Sequence, residues 1–173
     1  MKPIALLLIL SALLVNCGSS KKVVTKRSKR TEVIRPKERE IDRVVSKKIE
    51  NIIDEAKKYE GTRYKYGGTT KKGMDCSGLV TVAFQEEDII LPRTTGALSA
   101  TGDWIDVKEL QEGDLVFFAT QKNSRRVNHV GIVTTSRPGH VEFIHSTTSR
   151  GVIISNLAER YWYLAYVQGR RVL

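Results

Sequence analysis

The chain has 173 residues, 40% of them hydrophobic and 28% charged, with a formal net charge of +10, which allows one globular domain plus appendages. The charge is concentrated: Gly18 to Glu50 holds 12 Lys/Arg against 5 Asp/Glu, whereas Asn51 onward holds 16 against 14. A near-neutral C-terminal part argues against a nucleic-acid-binding domain, whose basic residues should crowd one face of the fold.

In chain order, Lys2 precedes an apolar run from Ile4 to Val15, broken only by Ser11. Such a run is too short to span a bilayer and reads as an export signal over residues 1–16. It stops at Leu14-Val15-Asn16-Cys17. An apolar run ending on Cys resembles the lipobox of bacterial lipoproteins, which implies lipid attachment (palmitate included) at Cys17; Asn16 departs from the small residue usual before that Cys. An ordinary cleaved signal peptide with a bystander Cys is the alternative. Residues 17–39, polar and basic and containing Pro36, read as a flexible tether. It serves either as a charged spacer or as a segment that settles on anionic headgroups.

The folded domain is expected over residues 40–173. Ile41, Val44, Val45, Ile49, Ile52, Ile53 and Ala56 recur every three or four residues, which predicts a helix to about Tyr59, stopped at Gly61. A loop follows, then a second helix lasting to about Asp88, with its apolar pattern starting at Leu79. Pro92 to Leu110 reads as loop. Leu115–Ala119, Asn128–Thr135, Val141–Ser146, Val152–Ser155 and Leu164–Val172 read as strands, with a turn at Pro138-Gly139. Helices followed by consecutive strands indicate an α+β domain with a central antiparallel sheet.

The chain has two cysteines. With Cys17 lipidated, Cys76 is a free thiol in an oxidising compartment, which calls for a reason. Its polar neighbours Asp75 and Ser77, with Gly78, place it at a helix N-terminus, where Asp75 can cap and unpaired N–H groups favour a thiolate. Most free cysteines are inert core residues, but a base is within reach. Of the three histidines, His140 follows the Pro138-Gly139 turn. His129 and His145 lie inside strands that this turn pairs antiparallel, so both can face one site. His129 shares a strand face with Gly131, whose lack of a side chain leaves room for a substrate backbone or a packed helix. Cys76 would then attack a carbonyl, with His129 as its base and later the acid for the leaving amine. His145 would orient His129, and the helix N-terminal amides would bind the oxyanion. Zinc held by the same Cys and two His is the competing use, without the usual ligand spacings.

Tyr64-Lys65-Tyr66-Gly67-Gly68, Asp75-Cys76-Ser77-Gly78-Leu79-Val80, Leu91-Pro92-Arg93-Thr94-Thr95, Gly113-Asp114-Leu115-Val116-Phe117-Phe118, Asn128-His129-Val130-Gly131-Ile132-Val133 and Phe143-Ile144-His145-Ser146 fall in the order seen in the NlpC family of papain-like envelope peptidases, which the chain resembles over about residues 47–173. The resemblance implies a papain-like fold, Cys76 as nucleophile, His129 as base and His145 as third polar residue. It also marks Tyr64 as a residue that helps bind substrate or the oxyanion. From their places beside Cys76, Asp75 and Ser77 are expected at the same site, as is Arg93, a loop cation able to attract stem carboxylates. A buried structural tyrosine is the alternative for Tyr64. The family hydrolyses the bond between D-glutamate, through its γ-carboxyl, and a diamino acid in peptidoglycan stems. Leu98 stands where the family often has Gln.

The expected partners are therefore peptidoglycan stem peptides and, through Cys17, a membrane, with no nucleic acid, cofactor or metal, in a protein acting as a monomer. Its expected place is the cell envelope, on the outer membrane facing the periplasm, with the inner membrane as the alternative; Gly18 follows Cys17, where an Asp would point to inner-membrane retention. Acyl transfer through the same thioester, or a non-catalytic wall-binding role, are the other classes open to the sequence.

Overall fold

The computed structural model describes residues 36–173; the export signal 1–16, the lipid site Cys17 and the tether up to residue 35 lie outside the described residues. The first helix, α1, spans Pro36–Lys57, so residues 36–39 are helical and not part of the tether. Proline at the first helical position is no obstacle, because that N–H has no intrahelical acceptor. Only the second half of α1 reaches the core: Ile52, Ile53 and Ala56 are buried, whereas Ile41 and Val44 are exposed. After α1 the chain turns at Gly61 (φ +79°), whose N–H donates to Val152 O at 2.9 Å.

A small hairpin follows, β1 (Thr69–Thr70) and β2 (Gly73–Met74), in a segment the sequence reads as loop. Then comes α2, Cys76–Gln85, three residues shorter than expected because Glu87, Asp88 and Ile89 bond back to Phe84 and Gln85 and Asp88 takes φ +57°. The stretch expected to be loop contains a one-turn helix, α3 (Thr95–Leu98), and an edge strand, β3 (Asp103–Ile105).

The remaining strands are β4 (Leu115–Phe118), β5 (His129–Arg137), β6 (His140–Thr147), β7 (Gly151–Asn156) and β8 (Tyr166–Arg171). A short helix, α4 (Arg160–Ala165), precedes β8, so the predicted last strand begins two residues late. The six-stranded sheet has order β3-β8-β4-β5-β6-β7, antiparallel throughout. Pro138 and Gly139 (φ +76°) close the β5–β6 hairpin between Arg137 and His140, with proline and glycine at the turn positions that favour each.

Alternation along β4 feeds two cores. Leu115 and Phe117 pack with Ile52, Leu79, Phe84, Val130 and Ile144 beneath the helices; Val116 and Phe118 pack with Val133, Phe143 and Trp162 on the opposite face. Burying both faces explains why all four residues of β4 are apolar and inaccessible. α2 lies between α1 and the sheet, over β5 and β6, which carries its N-terminus toward the end of the sheet where β5 begins.

Candidate active site

The Cys76 backbone opens α2, and the cap before it is built in detail. Asp75 Oδ1 accepts from Gly78 N–H (2.7 Å), and Asp75 Oδ2 accepts from Gly67 N–H (2.6 Å). Arg93 then grips the same carboxylate, Nη1 to Oδ1 at 2.9 Å and Nη2 to Oδ2 at 2.8 Å, while Nη1 also donates to Ser77 Oγ at 2.7 Å. Burial alone pushes the Asp75 carboxyl up, but the bonds from Arg93, Gly78 and Gly67 outweigh it and hold it below its ordinary value. Gly78 is required because a Cβ there would lie 2.2 Å from Gly68 O.

This network changes the reading of three residues. Asp75, Ser77 and Arg93, expected at the substrate or the oxyanion, are bonded to one another, and none of them lines the cavity at Cys76. Arg93, expected to attract substrate carboxylates, already has one. What the network fixes is the start of α2, which Cys76 opens.

A cavity of about 480 Å³ contains Tyr64, Cys76 and His129. His129, the first residue of β5, sits at the end of the sheet. Asn128 anchors that end, its Oδ1 accepting from Thr120 N–H (2.8 Å) and Thr120 Oγ1–H (3.1 Å). His129 Nε2 lies 2.9 Å from His145 Nδ1, so Nδ1 is the His129 ring nitrogen not engaged by His145. His145 is fully buried, and its Nε2 lies 2.9 Å from Ser155 Oγ. The two strand histidines thus converge as the hairpin predicts, but Gly131 serves a different purpose. A Cβ on it would meet Phe143 Cδ2 at 2.6 Å and His145 Cβ at 3.2 Å, so the space beside His129 is filled by the neighbouring strand and not by substrate.

Trp162, on α4, stacks on His129 (centroids 5.5 Å, 21° between planes) and meets His145 edge-on at 4.6 Å. An aromatic face against an imidazole excludes water from the His–His bond and favours a transient positive charge on the ring. Trp162, Ser155 and Thr95, whose Oγ1 lies 3.7 Å from Cys76 Sγ, are site residues the sequence reading missed. Only the polar Ser155 inside an apolar strand carried a signal.

The resting charge state differs from the sequence expectation. Burial pushes the Cys76 thiol up, and bonds from Thr95, Val130 N–H and Ser77 N–H offset this only in part. The helix N-terminus is where it was expected, but desolvation outweighs it. Burial also lowers His129 to about 4, and burial with the nearby His129 and Arg150 charges lowers His145 to about 2. The free site therefore holds a thiol beside two neutral imidazoles near neutral pH. Burial raises the Tyr64 hydroxyl, followed by the neighbouring Cys76 and Asp75, so it stays protonated and can donate. Arg150 and Glu159 are the charged residues of opposite sign on the cavity wall.

A helix-borne cysteine packed on an antiparallel sheet that carries histidine defines a papain-like domain, and the comparisons give its family. Residues 61–171 match the NlpC/P60 family, and the chain belongs to it. It is 42% identical over 125 residues to the probable endopeptidase NlpC of Escherichia coli K12, covering 72% of this chain and 78% of that one. It is likewise 42% identical over 123 residues to the murein DD-endopeptidase MepS/murein LD-carboxypeptidase of the same strain, covering 70% of this chain and 62% of that one. A crystal structure of an NlpC/P60 family protein from Bacillus cereus superposes with a TM-score of 0.66 at 32% identity, over 72% of this chain and 40% of that one.

Proposed function

We propose that the protein is a peptidoglycan endopeptidase that cuts stem-peptide amide bonds through a Cys76 thioester, anchored to the outer membrane by lipid on Cys17. The observation that carries the reading is the His129 Nε2–His145 Nδ1 bond of 2.9 Å, which leaves the other His129 nitrogen for a thiol in the same cavity. Cys76 Sγ–H gives its proton to His129 Nδ1 as the sulfur attacks the carbonyl carbon. The oxyanion forms beside the α2 N-terminal amides and the Tyr64 hydroxyl. The imidazolium, faced by Trp162, then protonates the leaving amine as the C–N bond breaks. Water, deprotonated by His129, finally hydrolyses the thioester and restores the thiol. Because the thiol is protonated at rest, its activation belongs to the transfer to His129 and not to a stored thiolate.

The bond most compatible with the cavity joins the γ-carboxyl of D-glutamate to a diamino acid. Arg150 and Glu159 offer opposite charges to a residue that itself carries an ammonium and a carboxylate. The relative named a murein DD-endopeptidase favours a second reading, cleavage at a cross-link. Both are decided by incubating residues 34–173 with purified muropeptides and weighing the products, beside Cys76→Ala. Release of L-Ala-γ-D-Glu by the wild type alone supports the first bond, and separation of cross-linked dimers into monomers supports the second. Intact muropeptides in every sample would return the protein to the acyl-transfer or wall-binding classes. The anchor is tested separately, by whether Cys17→Ala releases the protein from the membrane fraction.

A further inference from the structure

Three polar side chains run inward from the cavity wall: His129, His145 and Ser155. The last two are buried, at 0% and 4% exposure, and both contacts along the row are 2.9 Å. The β6–β7 register opposes His145 to Ile153 and Phe143 to Ser155, which puts Ser155 diagonally beside His145 on one sheet face. The seryl hydroxyl is thus fixed by strand pairing and not by a mobile loop.

The protons along this row cannot be placed independently. For His129 to take the proton of Cys76, its Nδ1 must be bare, so its own proton sits on Nε2 and is donated to His145 Nδ1. His145 Nδ1 must then also be bare, and the His145 proton sits on Nε2, where it needs an acceptor. Ser155 Oγ is at that place. The opposite arrangement begins with the Ser155 hydroxyl donating to His145 Nε2, and it ends with an N–H on His129 Nδ1, which cannot accept from the thiol.

We propose that Ser155 is a positioning residue: by accepting from His145 Nε2–H it holds His145, and through it His129, in the tautomers that leave His129 Nδ1 bare toward Cys76. This rests on the peptidase reading of the same site. A hydroxyl suits the task because it accepts a hydrogen bond without placing a second charge in a buried row.

The test is a long-range proton–nitrogen NMR correlation on the full chain, labelled with ¹⁵N-histidine and solubilised in detergent, above pH 6.5, where both rings are neutral. The wild type is expected to carry its protons on Nε2 of both His129 and His145; a proton on Nδ1 of His145 overturns the proposal without any variant or substrate. Ser155→Ala is expected to mix the His145 tautomers and to lower kcat on the order of tenfold with KM little changed. Ser155→Thr, which keeps the acceptor, is expected to restore both. Lost activity in Ser155→Ala with tautomers unchanged would mark a purely structural serine and defeat the proposal. If the wild type cuts no muropeptide, the peptidase reading fails, while the tautomers still decide the role of Ser155.

Discussion

Arg93→Ala tests whether the cap before Cys76 holds the site together. The substitution removes two charge-assisted bonds to Asp75, at 2.9 and 2.8 Å, and one to Ser77 at 2.7 Å. It strands a carboxylate that is 6% exposed. Breaking one partner of a fully buried pair costs about 3–5 kcal/mol, but the Arg93 side chain is 40% exposed and solvent screens part of the loss. The remaining bonds from Gly67 and Gly78 N–H still hold the carboxylate, so the expected cost is about 2–3 kcal/mol. For a domain of this size that lowers Tm by about 8–12 °C. Urea denaturation gives the free energy directly, with an unchanged m-value confirming that the unfolded state is the same. A double-mutant cycle with Asp75→Asn isolates the pair. A loss under about 0.5 kcal/mol, or a cycle with no coupling, would refute the reasoning and make Arg93 free for substrate. Activity should fall even at temperatures where the variant stays folded, because the same carboxylate caps the helix that carries Cys76.

Three further outcomes follow from other parts of the site. His129 is lowered from 6.5 to about 4 by burial, so between those values the unfolded chain binds a proton that the folded one does not. Stability is whole above pH 6.5 and falls toward pH 4, by about 3 kcal/mol from His129 alone. The acid limb of kcat/KM should lie near pH 4, and a limb at 6.5 would show that burial does not set this imidazole. Gly78→Ala would add about 1 kcal/mol of helix propensity on an open surface, yet here its Cβ meets Gly68 O at 2.2 Å. Net destabilisation of about 1–3 kcal/mol is expected in urea melts, and a stabilised variant contradicts the packing. Arg150→Glu, at an exposed position on the cavity wall, should leave stability within about 0.5 kcal/mol. It should lower kcat/KM roughly tenfold on peptides bearing a free diamino-acid carboxylate, but not on amidated ones; equal loss on both kinds removes Arg150 from recognition.

What the sequence determined by itself is local or ordinal. The onset of apolar residues at Leu79, one turn after Asp75-Cys76-Ser77-Gly78, located the helix start. Alternation and turn residues located the strands, and Pro138-Gly139 paired those carrying His129 and His145. These signals act over a few residues, so they survive in a linear reading. The same locality explains what was misread. Pro36 reads as tether in the sequence but opens α1. Leu164 and Ala165 read as the start of the last strand but end α4, and the edge strand β3 exists because Asp103 to Ile105 find Gly169 to Arg171, some 65 positions away. Tertiary structure alone decided the pairing of Arg93 with Asp75, the stacking of Trp162 on His129 and the contact of Ser155 with His145. It also decided that Cys76 rests as a thiol. Hydrogen-bond partners and charge states depend on which distant groups exclude water from a site, and that is a property of the packed molecule and not of neighbours in the chain.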